Sequence, residues 1–203
     1  MRRLRSCLAN DRGVASLEFA IVLPIMLSLL FATYELTQLV RAQLAVDSAA
    51  QAIADMVAQQ AAGVTSGTSG SLGNFCTAGG LMMTPFAVDT GGTGTTSANA
   101  FSVAMASVTN YTSTGVKLDW ESDRSCTVTA TQLGTSATSL ATGPTTNLIP
   151  TAGAPGDSVI IAKVNYIYDS PLQYFLPGLI TLTDTAFARP RNDAIVTCTA
   201  PCS

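Results

Sequence analysis

Few residues of this chain have the types and spacing that enzymes use for chemistry. Histidine is absent from all 203 residues, which excludes histidine-containing zinc sites and the Ser-His-Asp and Cys-His forms of catalysis. Asp119, Glu121 and Asp123 lie close together, and the strand pattern places Asp119 and Glu121 on one solvent face. They could hold a cation or act as a pair of acids, but most such groups are solvated surface. Because phosphate-binding glycine loops and nucleophile elbows are also absent, we expect no enzyme, cofactor or metal.

Charge is sparse and unevenly distributed along the chain. Charged residues make up 11% of the sequence, against about 25% in typical domains. Four of the ten basic residues are arginines within the first twelve positions, whereas the chain beyond Arg41 has five basic and ten acidic residues. An acidic body argues against a nucleic-acid partner. A basic tip before an apolar segment predicts a cytoplasmic N-terminus and a body on the outer side of the membrane.

The apolar segment carries no charge from residue 19 to residue 34, and Glu18 and Glu35 flank it. Extended back to Val14, it would form a helix of about 32 Å, enough to cross a hydrocarbon core of about 30 Å. Pro24 predicts a kink or a local loosening of this helix. The segment alone is compatible with a signal peptide, an ordinary anchor or a helix that is processed near its start.

Glu18 favours the third interpretation. A carboxylate inside a membrane segment costs roughly 2.5–3.5 kcal/mol near the centre and less near the interface, so it needs a partner. Cleavage after Gly13 would give Val14 a free amine and make Glu18 the fifth residue, where it could pair with that amine or a neighbouring subunit's. Such pairs are stronger where the dielectric constant is low. Gly13 suits a cleavage position because it lets a protease approach the backbone closely.

The stretch RGVASLEFAIVLPIMLSLLFATYEL, residues 12–36, resembles the N-terminus of the TadE/TadG-like pseudopilins, minor components of the tight-adherence (Flp) type IV pilus system. Gly13, Glu18, Phe19 and Pro24 fall on the matching positions. The resemblance implies a leader removed by a prepilin peptidase, a single-pass inner-membrane protein, and other pilins and the pilus assembly machinery as partners. It also implies a role in pilus assembly, surface attachment and biofilm formation.

The chain beyond the membrane segment is predicted to continue as a helix. No glycine or proline occurs between Leu36 and Gln60, and alanine is abundant, which favours helix. Apolar residues recur at near-helical spacing and predict a stripe that packs on the protein's own sheet, or additionally on neighbouring helices. These residues are Leu36, Leu39, Val46, Ala50, Ile53 and Val57.

The remainder predicts a small sheet. Stretches rich in glycine, serine and threonine predict loops, at residues 63–80, 89–98 and 134–156. Alternating or β-branched runs predict strands between them, at residues 101–108, 116–121, 157–168 and 179–188, with 125–131 continuing the second strand's hairpin. We expect the last two strands to form an antiparallel pair, in a mostly antiparallel sheet of three to five strands.

The predicted fold class is therefore α+β: a pilin-like long N-terminal helix, membrane-spanning in its first half, packed on a small, mostly antiparallel sheet. The expected organisation is a leader (1–13), a transmembrane helix (14–40), a periplasmic extension of the helix (41–62) and a periplasmic, TadE-like β-rich domain (63–203).

The chain has five cysteines, of which Cys7 lies in the predicted leader. Cys76, Cys126, Cys198 and Cys202 all fall in the region assigned to the periplasm, where disulfides persist. Three pairings are possible; we favour Cys76–Cys126 and Cys198–Cys202, with a bond from either of the first two to the C-terminal pair as the alternative.

A different function class also fits the outer region. The exposed threonine, serine and glycine loops would suit a secreted or membrane-anchored adhesin or carbohydrate-binding module. A mature chain that begins near Thr33 would favour this alternative.

Overall fold

A computed structural model gives the fold of the chain. It describes residues 14–90, 97–112, 115–122, 124, 126–127, 158–176, 178–191, 195–199 and 202. Its elements, in chain order, are helices α1 (Val14–Ala58) and α2 (Ser71–Met82) and strands β1 (Phe101–Thr112), β2 (Gly115–Ser122), β3 (Ser158–Asp169) and β4 (Leu179–Ala188). The chain divides into a helical unit, residues 1–39 with 170–178, and a sheet unit, residues 40–169 with 179–203.

The four strands form one antiparallel sheet in the order β2-β1-β3-β4. β1 pairs with β3 from Phe101–Tyr166 to Thr109–Ser158. β3 pairs with β4 from Ile160–Ala188 to Asp169–Leu179. The α+β prediction is confirmed, and so is the antiparallel pair at the end of the chain.

The predicted continuation of the β2 hairpin is wrong where the structure describes it. β2 ends at Ser122, and residues 126–127 form a bend. The reason is that Cys126 is bonded to Cys76 of α2, which directs the chain away from the sheet edge. Residues 128–131 and the predicted loop at 134–156 lie outside the described part of the chain.

The second part of α1 supplies one side of the core of the sheet unit. Val46, Ala50, Ile53 and Val57 are fully buried, as the apolar stripe predicts. Leu36 is different, because it is 57% exposed and belongs to the helical unit. The helical extension predicted to reach residue 62 ends at Ala58.

Helix α2 corrects the prediction of a loop over residues 63–80. Its glycines and small polar residues are weak helix formers, but tertiary packing overrides this preference because Leu72, Cys76, Gly79 and Gly80 are buried. At the start of the helix, the Ser71 N–H donates to Thr65 Oγ1 and the Thr65 N–H donates to Ser71 Oγ, both at 2.8 Å. These reciprocal bonds satisfy amides that a helix start leaves unpaired.

The C-terminal segment is held against the end of α1 and against the sheet. The Arg191 N–H donates to Ala58 O at 3.0 Å, which satisfies a carbonyl at the helix end. Val64 exchanges backbone hydrogen bonds with the segment around Cys198, at 2.8 and 2.9 Å. The indole N–H of the buried Trp120 donates to Val196 O at 2.7 Å. The sole tryptophan of the chain therefore reports on this junction.

Two disulfides complete the sheet unit. The structure pairs Cys76 with Cys126 and Cys198 with Cys202, the arrangement favoured from the sequence. The Cα atoms are 5.6 Å and 6.2 Å apart, respectively, within the usual range for disulfides.

Candidate functional site

The first part of α1 exposes an apolar surface on all sides. No side chain is buried between Ser16 and Tyr34, although most of them are large and hydrophobic. A helix that is apolar around its whole circumference is typical of a membrane span. Among the described residues, α1 is the one helix long and apolar enough to cross a membrane, by length and composition.

Two hydroxyl side chains of this segment, those of Ser28 and Thr33, donate to the backbone of their own helix. Ser28 Oγ donates to Ile25 O at 2.8 Å, and Thr33 Oγ1 donates to Leu30 O at 2.9 Å. Their hydroxyls therefore need no water, which suits a helix in lipid. Pro24 lies inside the helix, and α1 continues past it without interruption.

The residues that the sequence analysis singled out lie at the start of this helix. Val14 is its first residue, whereas Gly13 lies outside the described residues. The side chains of Glu18 and Phe19 are exposed, and none of the described residues pairs with the Glu18 carboxylate. The geometry therefore leaves both side chains available to groups outside the single chain.

A second carboxylate, Glu35, forms a site that the sequence analysis treated only as a flanking charge. Its side chain is fully buried and accepts hydrogen bonds from three consecutive amides of the β3–β4 loop, residues 170–178. The Tyr174 N–H donates to Oε1 at 2.8 Å, and the Phe175 and Leu176 N–H groups donate to Oε2 at 2.9 and 3.1 Å. This carboxylate thereby fixes the loop to the helix. The only local signal for this site was a charge at the edge of an uncharged segment, which indicates that Glu35 needs a partner but not which residues supply it.

Two of the residues that donate to Glu35 are aromatic, and their rings contact each other, with one of them also contacting Phe31. The Phe31 and Tyr174 ring centroids are 6.4 Å apart, and those of Tyr174 and Phe175 are 5.0 Å apart in an edge-to-face arrangement. Tyr174 is nevertheless 68% exposed and Phe175 50% exposed. The loop is therefore fixed by its backbone while its rings face outward.

The acidic residues on β2, Asp119 and Glu121, are at least partly buried in the sheet unit. Glu121 is buried, so the prediction that it shares the solvent face with Asp119 is wrong. The reason is a shift in register at Asp119, between the Ser107–Trp120 and Val108–Leu118 pairs, which interrupts the alternation of faces along β2. Asp119 accepts hydrogen bonds from the hydroxyls of Thr109 and Ser107, and Asp123 lies outside the described residues. No group of three or more potential metal ligands occurs in the described chain.

Tyr166 links β3 to the segment that precedes β1. Its buried hydroxyl contacts Ala87 O at 2.8 Å and Asn99 Oδ1 at 3.1 Å. Burial, together with the nearby Tyr168 and Asp169, raises the pKa of Tyr166 to about 12. The contacts are those of a structural tyrosine that stays neutral at physiological pH.

One open depression of about 350 Å³ lies on the face of β1, β3 and β4. Its lining carries hydroxyl, amide and ammonium groups but no aromatic ring: Ala100, Ser102, Lys163, Asn165, Ile167, Thr181 and Thr183. Thr183 Oγ1 and Asn165 Oδ1 are already bonded to each other at 2.8 Å, so part of its polar surface is satisfied internally.

Comparison with known proteins finds a similarity in the N-terminal segment of the chain. The family model described as TadE-like protein matches residues 13–55, about a fifth of the chain. No curated protein matches the chain, and no solved structure matches it. The matched segment contains Gly13, Glu18, Phe19 and Pro24 and the whole exposed apolar part of α1, so residues 13–55 are TadE-like, as the sequence resemblance predicts.

Proposed function

We propose that the protein is a minor pseudopilin of a tight-adherence (Flp) pilus system, held in the inner membrane by the first part of α1. The observation that carries the proposal is that two features coincide in the same segment. The TadE-like match at residues 13–55 covers the helix segment whose side chains are exposed and apolar all round. A TadE-like segment suggests involvement in a Tad pilus system, and the exposed surface needs lipid or other helices to cover it.

Processing by a prepilin peptidase is part of the proposal. Cleavage between Gly13 and Val14 would place a new amine at the first residue of α1, on the basic, cytoplasmic side of the membrane. The carboxylate of Glu18 would then pair with the amine of a neighbouring subunit. Support comes from the exposure of Glu18 and from the cost of leaving an unpaired carboxylate among apolar helices.

The function is one of assembly and interaction. The partners would be the peptidase, other pilins and the pilus assembly machinery, and the sheet unit would lie in the periplasm. Its two disulfides support that side of the membrane, because disulfides persist in oxidising compartments. Pilus assembly, surface attachment and biofilm formation are the expected phenotypes.

The processing step is tested by the N-terminal residue of protein recovered from membranes, with and without the peptidase. A start at Val14 that disappears without the peptidase would support the proposal. A start at Met1 in both strains would contradict processing. A start near Thr33 would instead support the alternative, a secreted adhesin.

The assembly step is tested with Glu18→Ala, which should leave cleavage intact and reduce pilus formation. Asp47→Ala is the matched control because Asp47 lies on the same helix, beyond the apolar segment, and accepts a local hydrogen bond from Gln43 one turn earlier. Normal piliation in Glu18→Ala would contradict the pairing of Glu18 with a neighbouring amine.

A further inference from the structure

The β3–β4 loop has the composition of a membrane-interface segment. Residues 170–178 carry no charge, and Leu172, Tyr174 and Phe175 are exposed large hydrophobic side chains. Soluble domains seldom place three such side chains at the tip of one loop without a partner. Aromatic rings with a polar handle, such as tyrosine, are enriched where a membrane meets water.

The loop lies at the depth where the apolar segment of α1 ends. Glu35 is 21 residues beyond Val14, about 32 Å along the helix, which is close to the hydrocarbon thickness. Glu35 holds the amides of Tyr174 and Phe175. Phe31, one turn earlier on the exposed apolar segment, contacts the Tyr174 ring. The exposed surface of the loop therefore continues the exposed surface of the helix.

The Glu35 carboxylate accepts the hydrogen bonds that the backbone amides of this loop would otherwise make to water. Backbone amides that leave water need an acceptor, and irregular backbone at membrane depth is tolerated where its polar groups are satisfied by protein. Glu35 accepts from three consecutive amides of the loop and is itself shielded from solvent. Its side chain thus leaves the loop's exposed rings free to contact an apolar medium.

We propose that residues 170–178 form a second membrane contact, in which Leu172, Tyr174 and Phe175 enter the headgroup–acyl boundary of the leaflet where the α1 span ends. This inference rests on the proposed membrane insertion of α1. The loop would set the depth and rotation of the helix, since it anchors one face of it at the interface.

The test uses the full chain in vesicles of phosphatidylcholine and phosphatidylglycerol, with phosphatidylcholine brominated either near the headgroup or near the bilayer centre. Bromine quenches tryptophan fluorescence on contact, so it reports the depth of a ring. Tyr174→Trp reports on the loop, and Phe175→Trp repeats the measurement if the first variant does not fold. Leu27→Trp reports on the middle of α1, and the wild-type chain gives the background of the buried Trp120.

We expect bromines near the headgroup to reduce the added emission of Tyr174→Trp to roughly half. Bromines near the bilayer centre should reduce it much less, as is typical of an aromatic residue at the membrane–water interface. Leu27→Trp should show the opposite order. If Leu27→Trp is quenched and both loop variants are not, the loop proposal is overturned while membrane insertion stands, and the loop would face a protein partner. If Leu27→Trp is not quenched, the insertion of α1 fails, and the loop proposal fails with it.

Discussion

Replacing Gly79 with alanine should destabilise the sheet unit, because α2 packs so closely on α1 at this position that it leaves no room for a methyl group. A Cβ at residue 79 would lie 2.5 Å from Ile53 Cδ1, 3.1 Å from Ile53 Cγ1 and 3.4 Å from Phe101 Cζ. Ile53 and Phe101 are both fully buried, so the isoleucine side chain cannot move away without displacing other core atoms. Overpacking of this kind costs about 1–3 kcal/mol.

The next residue, Gly80, offers a matched control. A Cβ there would lie 3.4 Å from Val88 Cγ1 and 3.6 Å from Thr90 Cγ2, which are ordinary van der Waals distances. Alanine is favoured over glycine in a helix by up to about 1 kcal/mol, so Gly80→Ala should stabilise the protein. The helix term is common to both variants, and their free energies of unfolding should therefore differ by about 1–3 kcal/mol.

Trp120 makes this difference measurable. It is the sole tryptophan, it is buried, and its indole N–H is bonded to Val196 O. Urea unfolding of the full chain in detergent micelles, followed by tryptophan emission, should give a lower midpoint for Gly79→Ala than for Gly80→Ala, at an unchanged slope. Equal midpoints would refute the reasoning, because they would show that Ile53 yields without cost.

Three further outcomes are expected. Replacing Cys76 and Cys126 together by alanine should lower the free energy of unfolding by about 4 kcal/mol, against about 2 kcal/mol for the C-terminal pair, because the loops that the disulfides close differ in length. The separations are 50 and 4 residues, and equal losses in a urea titration would show that this entropy argument is wrong. Glu35→Ala should accelerate hydrogen exchange of the amides of residues 174–176 by more than about tenfold, with Glu18→Ala as the unaffected control; unchanged protection would show that the carboxylate does not hold the loop. The pKa of Tyr166 is about 12 in the folded state, against an ordinary value of 10.0, so its contribution to stability is complete below pH 10.0 and is lost as the pH rises towards 12. Tyr166→Phe should flatten this alkaline loss of the free energy of unfolding, and an identical pH profile of that free energy in the variant would contradict the assignment.

The strands and α1 were predictable because their signals are local. β4 has the predicted bounds, residues 179–188, and β3 differs from its prediction by one residue at each end. Alternation and β-branching are properties of neighbouring residues, and so is the absence of glycine and proline over the helix. The prediction of Val46, Ala50, Ile53 and Val57 as core residues succeeded for the same reason.

Helix α2 was not predictable by such signals, since its stability comes from distant residues. Its glycines favour a loop when only neighbours are considered, and the need for glycine at residue 79 arises only because Ile53 and Phe101 approach closely. The Glu35 site was missed for a related reason. Its three donors are backbone amides 139 to 141 residues away, and every residue type except proline has such an amide.

The two carboxylates that flank the apolar segment meet the same physical demand in different ways. A carboxylate beside lipid needs hydrogen-bond donors or a positive charge. At Glu35, the chain supplies three donors from its own β3–β4 loop. At Glu18, none of the described residues is a partner and the side chain is exposed, so the side chain is open to a donor from outside the described part of the chain. Under the proposed function, that donor is a processed amine, and Glu18 acts when subunits meet, whereas Glu35 acts within each subunit. Glu18→Ala should therefore impair assembly without loosening the loop, and Glu35→Ala should loosen the loop before any subunit contact is made.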